Sequence, residues 1–475
     1  MIQNDSKPKF GTDGWRGIIG KDFNSKNCFI VASSLLTLSN NLSKIVIGYD
    51  TRDLSKEISF KISNYFKSKG IKVILSESPI PTPVVSFSVK NLNADFGMMI
   101  TASHNSKIWN GIKIKNENGQ SINEATANKL TEIIEKQNIN KVDLDIFESS
   151  NNDHYCSDLL SEYIKSVRKI VDIEALRRSN MNVIVDCMFG TSKSILKKII
   201  GTGNIKIFEI NNKPDSSFPG IKQPEPIEEN LNNLKNKIIN SNADIGFAFD
   251  ADSDRVGIID NESSYIESPY VFCILADHVL ESKDKRNIST TVSMTSMIDK
   301  IVKKYGVKCF RTKVGFKYVA PNMEKNNSIL GGEESGGYSY YEHLLERDGI
   351  ASSLLILDKL IRSKLISSNL MKDLSIKYGN YFYKRVDIEL KENILNKFKD
   401  FISNFDESKI INQEIANIDR EDGIKIIFKN NEWILVRLSG TEPLVRIYAE
   451  SKNKDSVNLL ISKFSKLFIK WKISD

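Results

Sequence analysis

Three carboxylates spaced two apart and closed by an arginine, Asp250-Ala-Asp-Ser-Asp-Arg255, are the residues of this chain best suited to hold a hard cation. Aspartates that alternate with small residues turn their oxygens to one side, and a metal makes that density of negative charge tolerable. Mg²⁺ is the expected occupant. An EF-hand also opens with Asp-x-Asp-x-Asp, but it needs glycine at the sixth place and glutamate at the twelfth, where this chain has Arg255 and Asn261. A solvated acidic turn is the plain alternative, and such a turn has no need of the spacing.

Other loops carry complementary chemistry. Phe10-Gly-Thr-Asp-Gly-Trp-Arg-Gly17 is dense in glycine with one arginine, a backbone able to bend around an anion or to form an ordinary turn. Thr101-Ala-Ser-His-Asn105 presents a serine, a weak nucleophile unless a base and an electrophile stand beside it, and it lacks the Gly-x-Ser-x-Gly elbow of acyl transfer. Asn110-Gly-Ile-Lys113 can return an amine to the same place. Gly331-Gly-Glu-Glu-Ser-Gly-Gly337 offers carboxylates and a hydroxyl to the hydroxyls of a ligand such as a sugar. Arg437-Leu-Ser-Gly-Thr-Glu-Pro443 offers a guanidinium, two hydroxyls and glycine-flanked N–H groups, the donors a phosphate dianion wants. Taken singly, His104 and Lys113 read as ordinary solvated or hydrogen-bonded groups, and the last two segments as polar turns.

The elements that must position these loops follow from periodicity. Ala243 to Phe249 reads as a strand delivering the aspartates to its C-terminal end, where open α/β sheets usually hold their chemistry. Lys44 to Asp50, a helical stretch from Leu54 to Gly70 and the strand Ile71 to Leu75 form a βαβ unit, and the strand Ala94 to Ile100 runs into the serine loop. A second unit is expected over 151–257, after a polar stretch, and a third over 258–368, with helices near 269 to 282 and 351 to 366. In 369–475 the texture changes: Tyr381 to Leu390 and Ile424 to Leu438 alternate as strands, and an amphipathic helix lies near 455 to 470. The expected fold is therefore α/β: three similar mixed α/β domains, the first over 1–150, plus a smaller C-terminal α+β domain around a central cleft.

Composition excludes several classes. No run of about 20 apolar residues could span a membrane, and the first residues lack the basic and then apolar pattern of a secretory signal, so a cytoplasmic protein is expected. Five scattered cysteines without Cys-x-x-Cys pairing indicate neither a disulfide frame nor a zinc site. A net charge of +7 spread along 475 residues is no nucleic-acid signature and is compatible with a small anionic substrate.

In order, these motifs resemble the α-D-phosphohexomutase family, which includes phosphoglucomutases and phosphomannomutases. The resemblance rests on Thr101 to Asn105, Asp250 to Arg255, Gly332 to Gly337 and Arg437 to Pro443, and covers nearly the full chain. It implies that Ser103 carries a phosphoryl group and that Asp250, Asp252 and Asp254 hold Mg²⁺ against it. Arg16, His104 and Lys113 then stand near the reacting phosphate, with Lys113 the candidate for proton transfer. Glu333 and Ser335 would grip ring hydroxyls, Gly315 and Lys317 would approach the sugar, Arg255 would contact substrate, and Arg437, Ser439, Gly440 and Thr441 would hold the second phosphate. Many relatives carry histidine where this chain has Gly337, so no acid/base role passes to that position; Arg347 is the candidate for a compensating cation. The implied activity interconverts hexose 1- and 6-phosphates, glucose first and mannose second, through glucose 1,6-bisphosphate, in a monomer or weak homodimer. Phosphoglucosamine mutase, which usually has Gln at the place of Glu334, a Mg²⁺-dependent sugar phosphatase and a non-catalytic sugar-phosphate sensor are the alternatives.

Overall fold

The computed structural model describes residues 7–11, 13–137, 141–149, 156–390, 397–398, 402, 405, 414–439 and 444–474. Four sheets organise them. The first holds β1 (Trp15–Ile18), β2 (Lys44–Tyr49), β3 (Lys72–Ser76), β4 (Phe96–Ile100), β5 (Trp109–Lys115) and β6 (Cys156–Ser157) in the order β1-β5-β4-β2-β3-β6. The second holds β7 (Asn182–Asp186), β8 (Lys206–Ile210), β9 (Ile245–Phe249), β10 (Val256–Asp260) and β11 (Tyr265–Ile266), ordered β11-β10-β9-β7-β8. The third holds β12 (Asn287–Thr291), β13 (Cys309–Thr312), β14 (Ser328–Gly332) and β15 (Tyr338–Tyr340), ordered β13-β12-β14-β15. The fourth, wholly antiparallel, holds β16 (Phe382–Glu389), β17 (Ile415–Asp419), β18 (Ile424–Phe428), β19 (Trp433–Leu438) and β20 (Leu444–Ser451), ordered β16-β20-β19-β18-β17.

The first three sheets share one plan. Three parallel strands lie in the order second, first, third, and a fourth strand turns back antiparallel beside the third: β3-β2-β4-β5, β8-β7-β9-β10 and β13-β12-β14-β15. Parallel neighbours need crossovers, supplied in the first sheet by the helices Ser55–Ser68 and Thr82–Asn91. The turn from third to fourth strand therefore sits at the C-terminal edge of each parallel set. Those three turns are the serine loop, the aspartate loop and the Glu333 loop.

One apolar core runs through all three sheets, from Val46 and Val85 through Val185 and Phe247 to Ile288 and Leu330, so the three loops are set by a single packed body. The fourth sheet has its own core against the helix Lys454–Ser474 and docks on the third through Val292, Trp433, Leu435 and Tyr448. The helices expected near 269 to 282 and 351 to 366 are Ser268–Ser282 and Gly349–Ser363. The glycine-dense segment expected as a loop over Phe10–Gly17 is partly strand: its second half is β1, because β5 has a free edge that pairs with it. Among the described residues no helix is long and apolar enough to cross a membrane.

Candidate active site

The serine loop is held from below. β4 is buried along Gly97 to Ile100 and ends at Thr101, whose hydroxyl donates to Asp50 Oδ2 at 2.6 Å and accepts the Ser103 N–H at 2.8 Å. Arg52 reaches under the loop: Nη2 donates to the carbonyls of Ser103 (2.6 Å) and Asn105, and Nη1 to those of Ser106 (2.9 Å) and Trp109 (3.0 Å). Asp50 pairs with Arg52 at 3.3 Å. These bonds hold Ser103 at φ +53°, a left-handed conformation that a non-glycine residue keeps only when its surroundings impose it. Ser103 Oγ consequently points into the second sheet's loop and donates to Asp250 Oδ2 at 2.8 Å. Asp50 and Arg52 were not singled out from sequence, although two charges at the end of the buried strand β2 are a usable signal.

The aspartate loop follows β9, buried at every position, and returns through β10. Asp250, Asp252 and Asp254 are fully buried, and one oxygen from each lies within 4.8 Å of the others. Asp252 Oδ2 accepts from Lys113 Nζ at 2.8 Å and from the Thr82 hydroxyl, and Asp254 Oδ2 accepts from Lys113 at 2.7 Å. The other oxygens, Asp252 Oδ1 and Asp254 Oδ1, are buried without a hydrogen-bond partner. Buried acceptors without partners are costly, and a hard cation bound by oxygen satisfies both at once. Charge agrees in sign: Lys113, Arg347 and Arg16 pair with Asp13, Asp252 and Asp254, and these three cations against four carboxylates, Asp250 included, leave one formal negative charge. The donor set fits a divalent metal.

The electrostatics follow the same division. Burial and then the neighbouring Asp252 and Asp254 push the Asp250 carboxyl well up when no cation is present. Burial pulls the Lys113 ammonium down, but Asp13, Asp252 and Asp254 outweigh it and raise its pKa, so Lys113 stands there as a cation. His104 is held well below its ordinary range by burial and by Arg255 and Arg16, so its imidazole is neutral. Asp13, although buried, is held low by Arg347 and Lys113.

Above these groups opens a polar cleft with a cavity of about 70 Å³ at its heart. Its charge is dominated by six arginines, Arg16, Arg255, Arg347, Arg385, Arg437 and Arg446. Arg16 Nη1 donates to Asn105 Oδ1 at 2.5 Å, the Arg255 N–H donates to Asp250 Oδ1 at 3.1 Å, and Arg255 pairs with Glu225 at 3.4 Å. Three arginines come from one face of the fourth sheet. Arg446 stands opposite Arg437 on one side and Asp387 on the other, and Arg385 is two residues before Asp387. Arg437 also donates to Asp422 at 3.0 Å. Such a cluster of guanidinium groups suits a doubly phosphorylated ligand.

Gly315, Glu333, Glu334, Ser335 and His104 also line the cavity. Glu333 Oε1 accepts the Gly315 N–H at 2.9 Å, and burial pushes its carboxyl up to about 7. Glu334 is already committed: Oε2 accepts from Ser293 at 2.6 Å and Thr291 at 3.3 Å, and Oε1 from the Tyr448 hydroxyl at 3.1 Å. Lys317 is not brought to this cavity; it pairs with Glu124 at 3.7 Å in a separate groove. The Ser439 N–H bonds to the Leu444 carbonyl at 2.8 Å, and Gly440 and Thr441 lie outside the described residues. Sequence reasoning missed Asp13, Arg385 and Arg446.

Family models described as phosphoglucomutase/phosphomannomutase alpha/beta/alpha domains I, II and III and C-terminal domain match residues 7–141, 161–263, 267–378 and 391–467. A Thermococcus kodakarensis phosphoglucomutase/phosphomannomutase is 30% identical over 94% of this chain and 95% of its own. A Sulfurisphaera tokodaii phosphoglucosamine/phosphogalactosamine mutase is 29% identical over 96% of this chain and 98% of its own. The crystal structure of a Thermus thermophilus protein described as a phosphomannomutase, 26% identical, covers 98% of this chain and 99% of its own with a TM-score of 0.84.

Proposed function

Because the chain belongs to the α-D-phosphohexomutase family, whose members are isomerases, we propose that it moves a phosphoryl group between O1 and O6 of a hexose monophosphate, with glucose the first substrate to expect and mannose the second. The observation that carries this reading is Ser103 Oγ bonded to Asp250 beside two buried aspartate oxygens without partners, beneath a cavity carrying six arginines. Ser103 is the phosphoryl carrier. In the forward step the P–O bond to Ser103 Oγ breaks as a bond forms from phosphorus to the oxygen of the substrate's free hydroxyl, and the proton that hydroxyl loses is balanced by one taken up on Ser103 Oγ. The resulting hexose 1,6-bisphosphate turns over in the cavity, and its other phosphate returns to Ser103.

Asp250, Asp252 and Asp254 would hold Mg²⁺, which when bound neutralises charge on the phosphoryl oxygens. Lys113 adds a second positive charge to that cluster; as an ammonium held by three carboxylates it can supply a proton to the leaving oxygen but not accept one. Arg16 and Arg255 face the reacting end, and Arg437, Arg385 and Arg446 grip the other phosphate. A cavity that must hold either phosphate at either end needs such an excess of cations. Glu333, Gly315 and Ser335 face the sugar between them. His104, neutral, serves as a hydrogen-bonding wall.

Phosphoglucosamine mutase is the second reading, favoured by the description of the Sulfurisphaera relative. The commitment of Glu334 to Ser293 and Tyr448 removes one argument against it, because a carboxylate already engaged is a poor reader of the sugar. A coupled assay with glucose 1-phosphate, mannose 1-phosphate and glucosamine 1-phosphate, Mg²⁺ and a catalytic amount of glucose 1,6-bisphosphate separates the readings. The expected result is isomer formation, fastest with glucose. Steady release of inorganic phosphate without isomer would make the protein a phosphatase instead.

A further inference from the structure

The guanidinium of Arg347 is buried among four carboxylates, which it meets as ion pairs. Nη2 lies 2.8 Å from both Asp13 Oδ2 and Asp254 Oδ2, Nη1 3.8 Å from Glu333, and Nε 3.6 Å from Glu346. Lys113 touches the same two oxygens, Asp13 Oδ2 at 3.0 Å and Asp254 Oδ2 at 2.7 Å. Lys113, Asp13, Arg347 and Asp254 thus close a ring of alternating charges drawn from all three α/β units. The residues flanking Arg347 fasten it. Glu346 Oε2 accepts from Lys115 Nζ at 2.7 Å and from the Ser121 N–H at 2.9 Å, with both charges fully buried. Asp348 accepts from the Tyr163 hydroxyl at 2.8 Å and caps the helix Gly349–Ser363 through the Ala351 N–H. The stem of Arg347 fills the space beside Gly337, where a Cβ would lie 2.3 Å from its Cδ.

From this geometry we infer that Arg347 is a positioning residue for the metal site: by holding Asp254 Oδ2 against Lys113, it turns Asp254 Oδ1 toward the cation, and Gly337 is small because the stem of Arg347 must pass there. The inference rests on the proposed function for the identity of the cation. Charge and position make opposite predictions. Removing a guanidinium makes the cluster more negative, which alone would tighten a cation; releasing Asp254 loosens it, as loss of partners to metal ligands usually does by about 10–100-fold.

The test is calorimetric titration of Mg²⁺ into the full-length parent, Arg347→Gln, Arg347→Lys and Gly337→Ala, with kcat and KM measured at saturating Mg²⁺. The expected result is affinity weakened about 10–100-fold in Arg347→Gln and partly restored in Arg347→Lys. Gly337→Ala, which keeps every charge but displaces the stem, should weaken Mg²⁺ in the same direction by a smaller factor. Mg²⁺ bound by Arg347→Gln as tightly as by the parent, or more tightly, overturns the inference, and should that variant fail to fold, unchanged affinity in Gly337→Ala does so alone. A parent that binds Mg²⁺ but isomerises no hexose phosphate overturns the proposed function and leaves this comparison standing; a parent that binds no Mg²⁺ overturns both.

Discussion

Glu333→Gln separates a buried, ligand-facing carboxylate from a structural one. Glu333 is 4% exposed, and burial raises its carboxyl from an ordinary 4.5 to about 7, with Arg347 opposing the rise and Glu334 adding to it. Such a rise corresponds to on the order of 3 kcal/mol, at about 1.4 kcal/mol per tenfold change in the ionisation equilibrium. Below pH 4.5 the group is protonated both folded and unfolded and costs nothing. Between pH 4.5 and 7 the unfolded chain has released a proton that the folded chain still holds, so stability falls as pH rises, and above pH 7 the whole penalty is present. Glutamine keeps the oxygen that accepts the Gly315 N–H and carries no such penalty. Urea unfolding of both proteins from pH 4.5 to 8 should therefore show the variant gaining on the parent by about 3 kcal/mol across that interval. Activity should move the other way. If the ionised carboxylate grips the sugar, the parent's kcat/KM falls about tenfold per pH unit below 7, while the variant is slow at every pH and keeps only the limb of the substrate phosphate. A stability difference flat to within about 0.5 kcal/mol over the same interval would refute the burial argument.

Other outcomes follow from the same contacts. Lys115→Met takes from the buried Glu346 carboxylate its nearest cation, leaving Arg347 Nε at 3.6 Å and the Ser121 donors, and should destabilise the protein by up to about 3–5 kcal/mol in thermal or urea unfolding, with most of the loss recovered in Lys115→Met/Glu346→Leu. Arg385→Ala and Arg446→Ala should each raise KM for the hexose phosphate about 10–100-fold with kcat little changed, since each removes a cation that lines the cavity away from the reacting serine. Ser103→Ala should abolish isomer formation and the phosphoryl adduct seen by intact mass; retained turnover would remove Ser103 from the role of carrier. Chelation by EDTA should stop turnover, and Mg²⁺ should restore it.

The loops at Ser103, Asp250 and Glu333 were legible because each follows a strand buried over most or all of its length, and a buried run followed by charges or hydroxyls is a pattern that local sequence carries. Arg385 and Arg446 were not legible for a reason of the same kind. They alternate with Val386 and Ile447 on strands whose other face forms the fourth core, and a period of two says only that their side is polar. Whether that side meets water or a cavity depends on what the sheet docks against, here Val292, the residue after β12. Asp13 belongs to the same class: it is one charge in a short loop, and only the approach of β5 makes it part of the site. The common strand order of the three α/β sheets is invisible as a sequence repeat because order within a sheet is set by pairing and not by local composition.

That common order explains how three separate turns reach one site. In each unit the antiparallel fourth strand converts what would be a crossover helix into a tight return, so the turn stays at the sheet edge. Two such turns meet at Ser103 and Asp250, 2.8 Å apart, and the third supplies Glu333 across the cavity from them. The core joining the three sheets is continuous, so this meeting is held by packing and needs no closure. The fourth sheet contributes differently. It brings its arginines on a separate core, and it touches the sugar loop directly through the Tyr448 hydroxyl bonded to Glu334. If Arg437, Arg385 and Arg446 hold the distant phosphate as proposed, that bond couples their sheet to the Glu333 loop. Tyr448→Phe, which removes that one bond without changing charge, should leave Mg²⁺ affinity intact while reducing discrimination among the three sugar 1-phosphates; equal kcat/KM ratios in parent and variant would show that the two loops act independently.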